Sequence, residues 1–411
     1  MKINIGKLYI YERRQIANAL FVTSIFVAFF GSMNVWFMVP IHTYFPILAF
    51  LLAMVSYLMS RTSEHPLFTE SYFLLPTAAF TLLEFYQCTV NSLNINAYIS
   101  ATFSAMMMFF ILRYDKGQLD HIATLLSKVL GGFLLVSYPI FFLYIIGFPL
   151  PNVNLIFNDG FYSFSNYFFF LIDDRSLFEI IPRFQSIFLE PTYLGSTCAL
   201  LLMTQRGKWK KWYNISLMVG LLISFSLAGY AYFTAIIFLN MWIERKKIIK
   251  KFLSIIILIS AIVGGSFIYN NGDNMLHNLI ILRLEIDDGE MVGNNRVSKD
   301  FDTDYESFLQ TSDIIFGTDY DYSKFGDSGY KVFFYDYGIV GIILLYTFYI
   351  LAFTKYKDYR CMLSSIIVMT LVFGVDAFVL WFGRFIPLYI VATRNFTNIE
   401  KKTDKNEKDI N

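Results

Sequence analysis

Three arginines and a glutamate are the residues whose surroundings set them apart. Arg183 and Glu190 lie in RFQSIFLEPTYLGS, at the start of a long apolar run, and a charged side chain beside an apolar span is a functional candidate by default. They are seven residues apart, two helical turns, which puts both on one face if the segment is helical. Two readings stand: a simple Arg–Glu pair that orients the start of a span, or a charged site facing solvent. Pro191 either interrupts a helix there or starts one. Arg283 and Arg296, in RLEIDDGEMVGNNR, are two of only four basic residues in an otherwise acidic segment. Planar guanidinium groups suit bidentate binding of phosphate or pyrophosphate; the alternative is surface pairing with Glu285, Asp287 or Asp288. SFSLAGYAYF puts small hydroxyl residues and Gly229 between two short apolar runs, as a helix break requires, although close helix packing needs the same residues. DFDTDYE and DYD lack the glycine and closing glutamate of a calcium loop, so they read as a solvated acidic face. The four histidines are dispersed and make no ligand set, and no metal site is expected.

The elements that must position these residues are membrane helices. The chain has 411 residues, 56% hydrophobic and 16% charged, far fewer charges than soluble domains carry. Apolar blocks of about 16 to 25 residues match a hydrocarbon core roughly 30 Å thick. Runs such as Phe252 to Tyr269 show no alternation, which excludes a β-barrel reading. The pattern predicts an all-α polytopic membrane protein with twelve spans: 16–39, 41–60, 67–86, 95–112, 122–148, 186–203, 212–226, 229–243, 252–269, 329–353, 361–374 and 376–392. Spans 7, 8 and 11 are short enough to be broken, tilted or re-entrant. The first span reads as retained, since its apolar run of about 23 residues lacks a small-residue cleavage site.

Threading from a cytoplasmic N-terminus puts 24 of the 33 Lys and Arg inside and 6 outside, the bias expected of cytoplasmic loops. Both termini are then cytoplasmic, in the cytoplasmic membrane. Residues 1–411 form a single integral membrane domain in this reading, with outer loops at 149–185 and 270–328 and a polar, disordered tail at 395–411. FYSFSNYFFFL in the first loop is expected to lie in the interface as a helix or belt, or to stack on a sugar. The short cytoplasmic connections leave no room for a nucleotide-binding domain, and the net charge of +1 gives no reason to expect a nucleic acid partner. Cys88, Cys198 and Cys361 are scattered and read as structural.

As an ensemble, R183FQSIFLEPTYLGS, S224FSLAGY, the arginine-bearing loop ending in IIFGTDYDYSKFGDSGY, and FFYDYGIVGI resemble the Wzy-type O-antigen or capsular polysaccharide polymerases across almost the whole chain. The resemblance implies a type C glycosyltransferase-like bundle with about twelve transmembrane helices and two long outer loops. It implies a metal-independent membrane glycosyltransferase that joins repeat units carried on undecaprenyl pyrophosphate, with membrane lipid and a chain-length regulator as partners and no cofactor. Arg183, Arg283 and Arg296 are then assigned to pyrophosphate, Tyr193 and Tyr330 to substrate contact, and Glu190 or Asp327 to the acceptor hydroxyl's proton. The related O-antigen ligases carry a histidine where this chain has Asp327, eleven residues before Gly338, which favours polymerase over ligase. A lipid-linked sugar flippase is the rival from another class.

Overall fold

Helices account for most of the chain, and they fall where the apolar blocks are. The computed structural model describes residues 5–61, 67–68, 74–90, 95–157, 162–173, 182–244, 248–269, 274, 277, 281–282, 286–287, 290–291, 299–318, 329–354, 358–376 and 379–394. Its helices are α1 (Ile5–Ser32), α2 (Phe45–Ser60), α3 (Leu74–Val90), α4 (Ile95–Arg113), α5 (Lys116–Ile145), α6 (Pro191–Thr204), α7 (Trp212–Ile223), α8 (Leu227–Glu244), α9 (Ile248–Ile268), α10 (Lys299–Phe308), α11 (Gly329–Phe353), α12 (Tyr359–Val375) and α13 (Phe382–Ala392). Among the described residues four stretches are long and apolar enough to cross a membrane: Arg13–Ser32, Ile95–Arg113, Lys116–Ile145 and Gly329–Phe353. Phe45–Ser60, Trp212–Ile223, Leu227–Ile243, Tyr359–Val375 and Phe382–Ala392 are apolar but shorter. Exposed Leu48, Leu51, Val55 and Leu58 line one face of α2, and a stripe at that spacing is stable against lipid but not against water. The apolar helices point to a membrane-embedded protein.

The packing divides into two units, Met1–Val129 with Phe308–Tyr320 and Gly329–Asn411, and Leu130–Ser307 with Asp321–Ser328. In the first, helices are joined by small residues and hydroxyls, because apolar surface alone gives no drive to associate in lipid. Ser24 Oγ donates to the Ala49 carbonyl at 2.7 Å and Ser56 Oγ to that of Ala17 at 2.6 Å; the pairs run in opposite directions, so α1 and α2 are antiparallel. Ser365 ties α12 to α13 through the Leu388 carbonyl at 2.8 Å, and Tyr389 ties α13 to α4 through that of Leu112 at 2.8 Å. Arg384 is fully buried in α13 and pairs with Asp376. Its guanidinium also lies 4.7 Å from the centre of the Trp381 ring.

The first unit also contains a deliberate break. Within α11, Gly338 has φ +59° and ψ −164°, and a Cβ there would fall 2.6 Å from the Ile315 carbonyl oxygen and from Gly317 N. Only glycine takes that conformation at that approach. The freed backbone is re-satisfied by the segment before α11: Val340 N donates to the Ile315 carbonyl at 3.0 Å, and Thr318 N to that of Tyr335 at 2.9 Å. Tyr86 on α3 closes the junction by donating to the Phe316 carbonyl, with the Tyr337 carbonyl 3.0 Å away.

The second unit adds short strands to the mostly helical chain: β1 (Val153–Phe157), β2 (Tyr162–Asn166) and β3 (Leu171–Asp173) form an antiparallel sheet in the order β1-β2-β3, and β4 (Ile286–Asp287) pairs with β5 (Glu290–Met291). The aromatic run is therefore not a helix: Tyr162–Asn166 is a strand. β2 pairs Phe164 with Leu155 on one side and with Asp173 on the other. The turn into β3 is closed by Asn166, whose Oδ1 accepts from Phe168 N at 2.7 Å while Phe168 sits at φ +70°; asparagine side chains favour this local bond over a helix. Tyr167 and Phe170 stack across the turn at 4.7 Å. On α5 a Cβ at Gly131 would fall 2.9 Å from Tyr213, and Tyr138 donates to the Ser216 carbonyl at 2.6 Å, which fixes α5 against α7.

Candidate functional site

The segment from Arg183 to Gly195 and the break between α7 and α8 meet in the second unit. Residues 182–190 are irregular, with Ser186 at φ +49°. The two-turn spacing of Arg183 and Glu190 therefore does not place them on one helical face. The cause is Pro191, which forces the residue before it out of the helical region; Glu190 is extended at φ −138°, ψ 146° and acts as the N-cap position of α6, with Pro191 opening the helix. The irregular strand is held on both edges. Leu171 N donates to the Ser186 carbonyl at 2.9 Å, and Phe184 N to that of Ile223 at 3.3 Å.

The expected helix break is present. α7 ends at Ile223, Phe225 takes φ +48°, and α8 begins at Leu227. Ser226 caps α8 by accepting from Gly229 N at 3.1 Å, the ordinary task of a serine at that position. Gly195 and Gly229 let α6 and α8 touch: a Cβ on Gly229 would lie 2.9 Å from Gly195 Cα, and one on Gly195 would lie 2.7 Å from Ser226 Cβ. Close packing and the break, rival readings of SFSLAGYAYF in the sequence, are both true of it.

Arg183 lies over this break. Its Nη2 donates to the Phe225 carbonyl at 3.1 Å and its Nε approaches the Ser224 carbonyl at 3.4 Å. A cation there complements the carbonyl end of α7, so part of the arginine's capacity is spent on the protein's own backbone. Directly beyond the break, the amides of Leu227 and Ala228 hydrogen-bond to no described residue, and Ala228 is buried. A guanidinium beside the open N-terminus of a helix is an arrangement that receives anionic groups.

Set against known proteins, the chain matches no family model, no curated protein and no solved structure. The site's chemistry therefore stands on its own residues. Tyr193 is buried on the first turn of α6, two residues before Gly195. Tyr330 is exposed on α11 and belongs to the other unit. Arg283, Arg296 and Asp327 lie outside the described residues. Among the described residues no group of three or more His, Cys, Asp or Glu is arranged to hold a metal ion. Asp300 and Asp302 sit in the first turn of α10, where acidic side chains complement the helix dipole.

Sequence reasoning passed over Gln185. It is 2% exposed, and its Nε2 has no hydrogen-bond partner among the described residues, a costly state for a buried amide. It sits two residues after Arg183 in the same irregular strand. Polarity alternates only over Arg183, Phe184 and Gln185, too short a run to mark the segment as extended.

Proposed function

We propose that the chain crosses the cytoplasmic membrane about twelve times with both termini inside, and polymerises lipid-linked oligosaccharide repeat units on the outer face. In this reaction an acceptor hydroxyl on one lipid-linked glycan attacks the anomeric carbon of another. The glycosidic bond forms as the bond from that carbon to undecaprenyl pyrophosphate breaks, and the hydroxyl's proton passes to a base. Glu190, half-buried where α6 begins, or Asp327 is assigned that role. The departing pyrophosphate needs preorganised positive charge more than any other help. Arg183, Arg283 and Arg296 are assigned to supply it, with Tyr193 and Tyr330 against the glycan.

The observation that carries the reading is Arg183 set over the α7–α8 break. Irregular backbone at membrane depth is tolerated only where it is buried in protein or lines a polar cavity, and here it combines a fixed guanidinium with the amide end of α8. That pairing suits a pyrophosphate. The same break also suits a flippase, because discontinuous helices bind anionic substrates in transporters. Deleting the gene and separating the surface glycan by electrophoresis distinguishes them. Loss of the long ladder with one repeat unit retained is the expected result; loss of all surface glycan would give the chain a flippase or ligase role instead.

A further inference from the structure

A polar stripe on α4 is not used by the site at the α7–α8 break. Asn96, Ser100 and Ser104 recur every four residues, so they share one face of an otherwise apolar helix. Other hydroxyls in these helices have carbonyl partners: Thr102 donates to the Tyr98 carbonyl at 2.8 Å, Thr81 to that of Thr77 at 2.8 Å, and Ser127 to that of Ala123 at 2.9 Å. Ser100 and Ser104 hydrogen-bond to no described residue. Both line a cavity of about 480 Å³ in the first unit, together with Asn96, His42, Thr43 and Trp381. That volume is within the range of small-molecule sites.

The lining has a specific chemical character. Among the described residues it contains no carboxylate, lysine or arginine, so neither an anion nor a cation finds a counter-charge there. His42 is exposed on the rim between α1 and α2. What remains is hydroxyl, carboxamide and imidazole groups beside one indole, with Phe45, Pro46 and Ala97 completing an apolar side. The indole is steadied by the Arg384 guanidinium, which is itself paired with Asp376. A hydrocarbon chain in this cavity would leave the hydroxyls without partners, which is unfavourable. A ring with one apolar face and a hydroxyl edge satisfies both the indole and the stripe.

We infer that this cavity binds a neutral sugar ring, presented either by a glycan or by a glycolipid headgroup. The inference rests on the proposed function only in placing the outer ends of α1, α4 and α13 toward the compartment where glycans are handled.

Thiol protection tests it directly, because Cys88, Cys198 and Cys361 are all buried. Ser104→Cys and, as an independent second variant, Ser100→Cys are purified in phosphatidylcholine nanodiscs and reacted with a water-soluble maleimide. Glucose, galactose, N-acetylglucosamine and inorganic phosphate are the soluble probes. At least one of the three sugars should slow labelling about threefold or more, as a mostly occupied site would, while phosphate should not. Adding Trp381→Leu should remove the protection and leave labelling intact. Protection seen only when glucosyl diacylglycerol is in the disc assigns the ring to a lipid headgroup. Failure of both cysteines to react, protection by phosphate, or no protection from any sugar or from the glycolipid overturns the site. The two proposals fail separately. Sugar protection in a chain that never extends a glycan would refute polymerisation alone, whereas normal extension by a Ser100→Leu, Ser104→Leu double variant would refute a role for this cavity in it.

Discussion

Replacing Arg183 by glutamine removes two things at once, and the structure separates their sizes. The side chain caps the end of α7 through one good bond, Nη2 to the Phe225 carbonyl at 3.1 Å, and one marginal approach, Nε to the Ser224 carbonyl at 3.4 Å. Hydrogen bonds to charged groups contribute about 1.5–3 kcal/mol. On a half-buried side chain the loss should be near the lower end, about 1.5 kcal/mol. That should lower the unfolding temperature in mild detergent measurably without preventing insertion. The catalytic loss should be larger, about 10²-fold, as for removing one preorganised donor from a developing oxyanion. Arg183→Lys keeps the charge but not the fork, so it should recover part of the stability and little of the polymerisation. Glycan ladders and thermal unfolding are compared at matched protein level. Lower stability with a normal ladder would reduce Arg183 to a helix cap; wild-type behaviour in both assays would refute the reasoning entirely.

Three further outcomes follow from the same account. Gly338→Ala should destabilise by more than about 3 kcal/mol, since it adds left-handed strain to a collision with the backbone of residues 315–317, whereas Gly374→Ala, where an added Cβ meets nothing within 4 Å, should be nearly neutral; protein accumulation and unfolding temperature read both. Cysteines introduced at Asp173 and Asp302 should react with a membrane-impermeant reagent and one at Lys247 should not; labelling at Lys247 alone would invert the orientation. Arg296→Lys should shorten the glycan ladder sharply while Lys299→Ala does little, and equal losses from the two would indicate general damage to the loop.

The helices were legible because apolar length and local breakers act over short distances. The break at 224–226 follows from serines that compete for backbone bonds and from Gly229, all visible in SFSLAGY. The first span was read through to residue 39, but α1 stops at Ser32 and residues 36–41 form a short 3-10 turn containing Pro40. Hydrophobicity alone cannot distinguish a membrane span from an apolar turn at its end. The sheet was missed because Tyr162, Phe164 and Asn166 alternate with serines for only five residues, too short to outweigh an aromatic composition that also suits the interface. Arg183 borders the junction, yet its carbonyl partners lie between α7 and α8, some forty residues downstream. No spacing rule within RFQSIFLE reports such a contact.

The most direct test of polymerisation is reconstitution. The purified protein, in liposomes with a labelled undecaprenyl-pyrophosphate-linked repeat unit and EDTA, is sampled over time and its products are separated by size. The account predicts a ladder of multiples of the repeat unit that forms without magnesium, because arginines are assigned the charge that a metal would otherwise supply. Extension that required magnesium would return the acidic face of α10 to consideration as a metal site, and movement of the labelled unit across the bilayer with no extension would contradict the central claim.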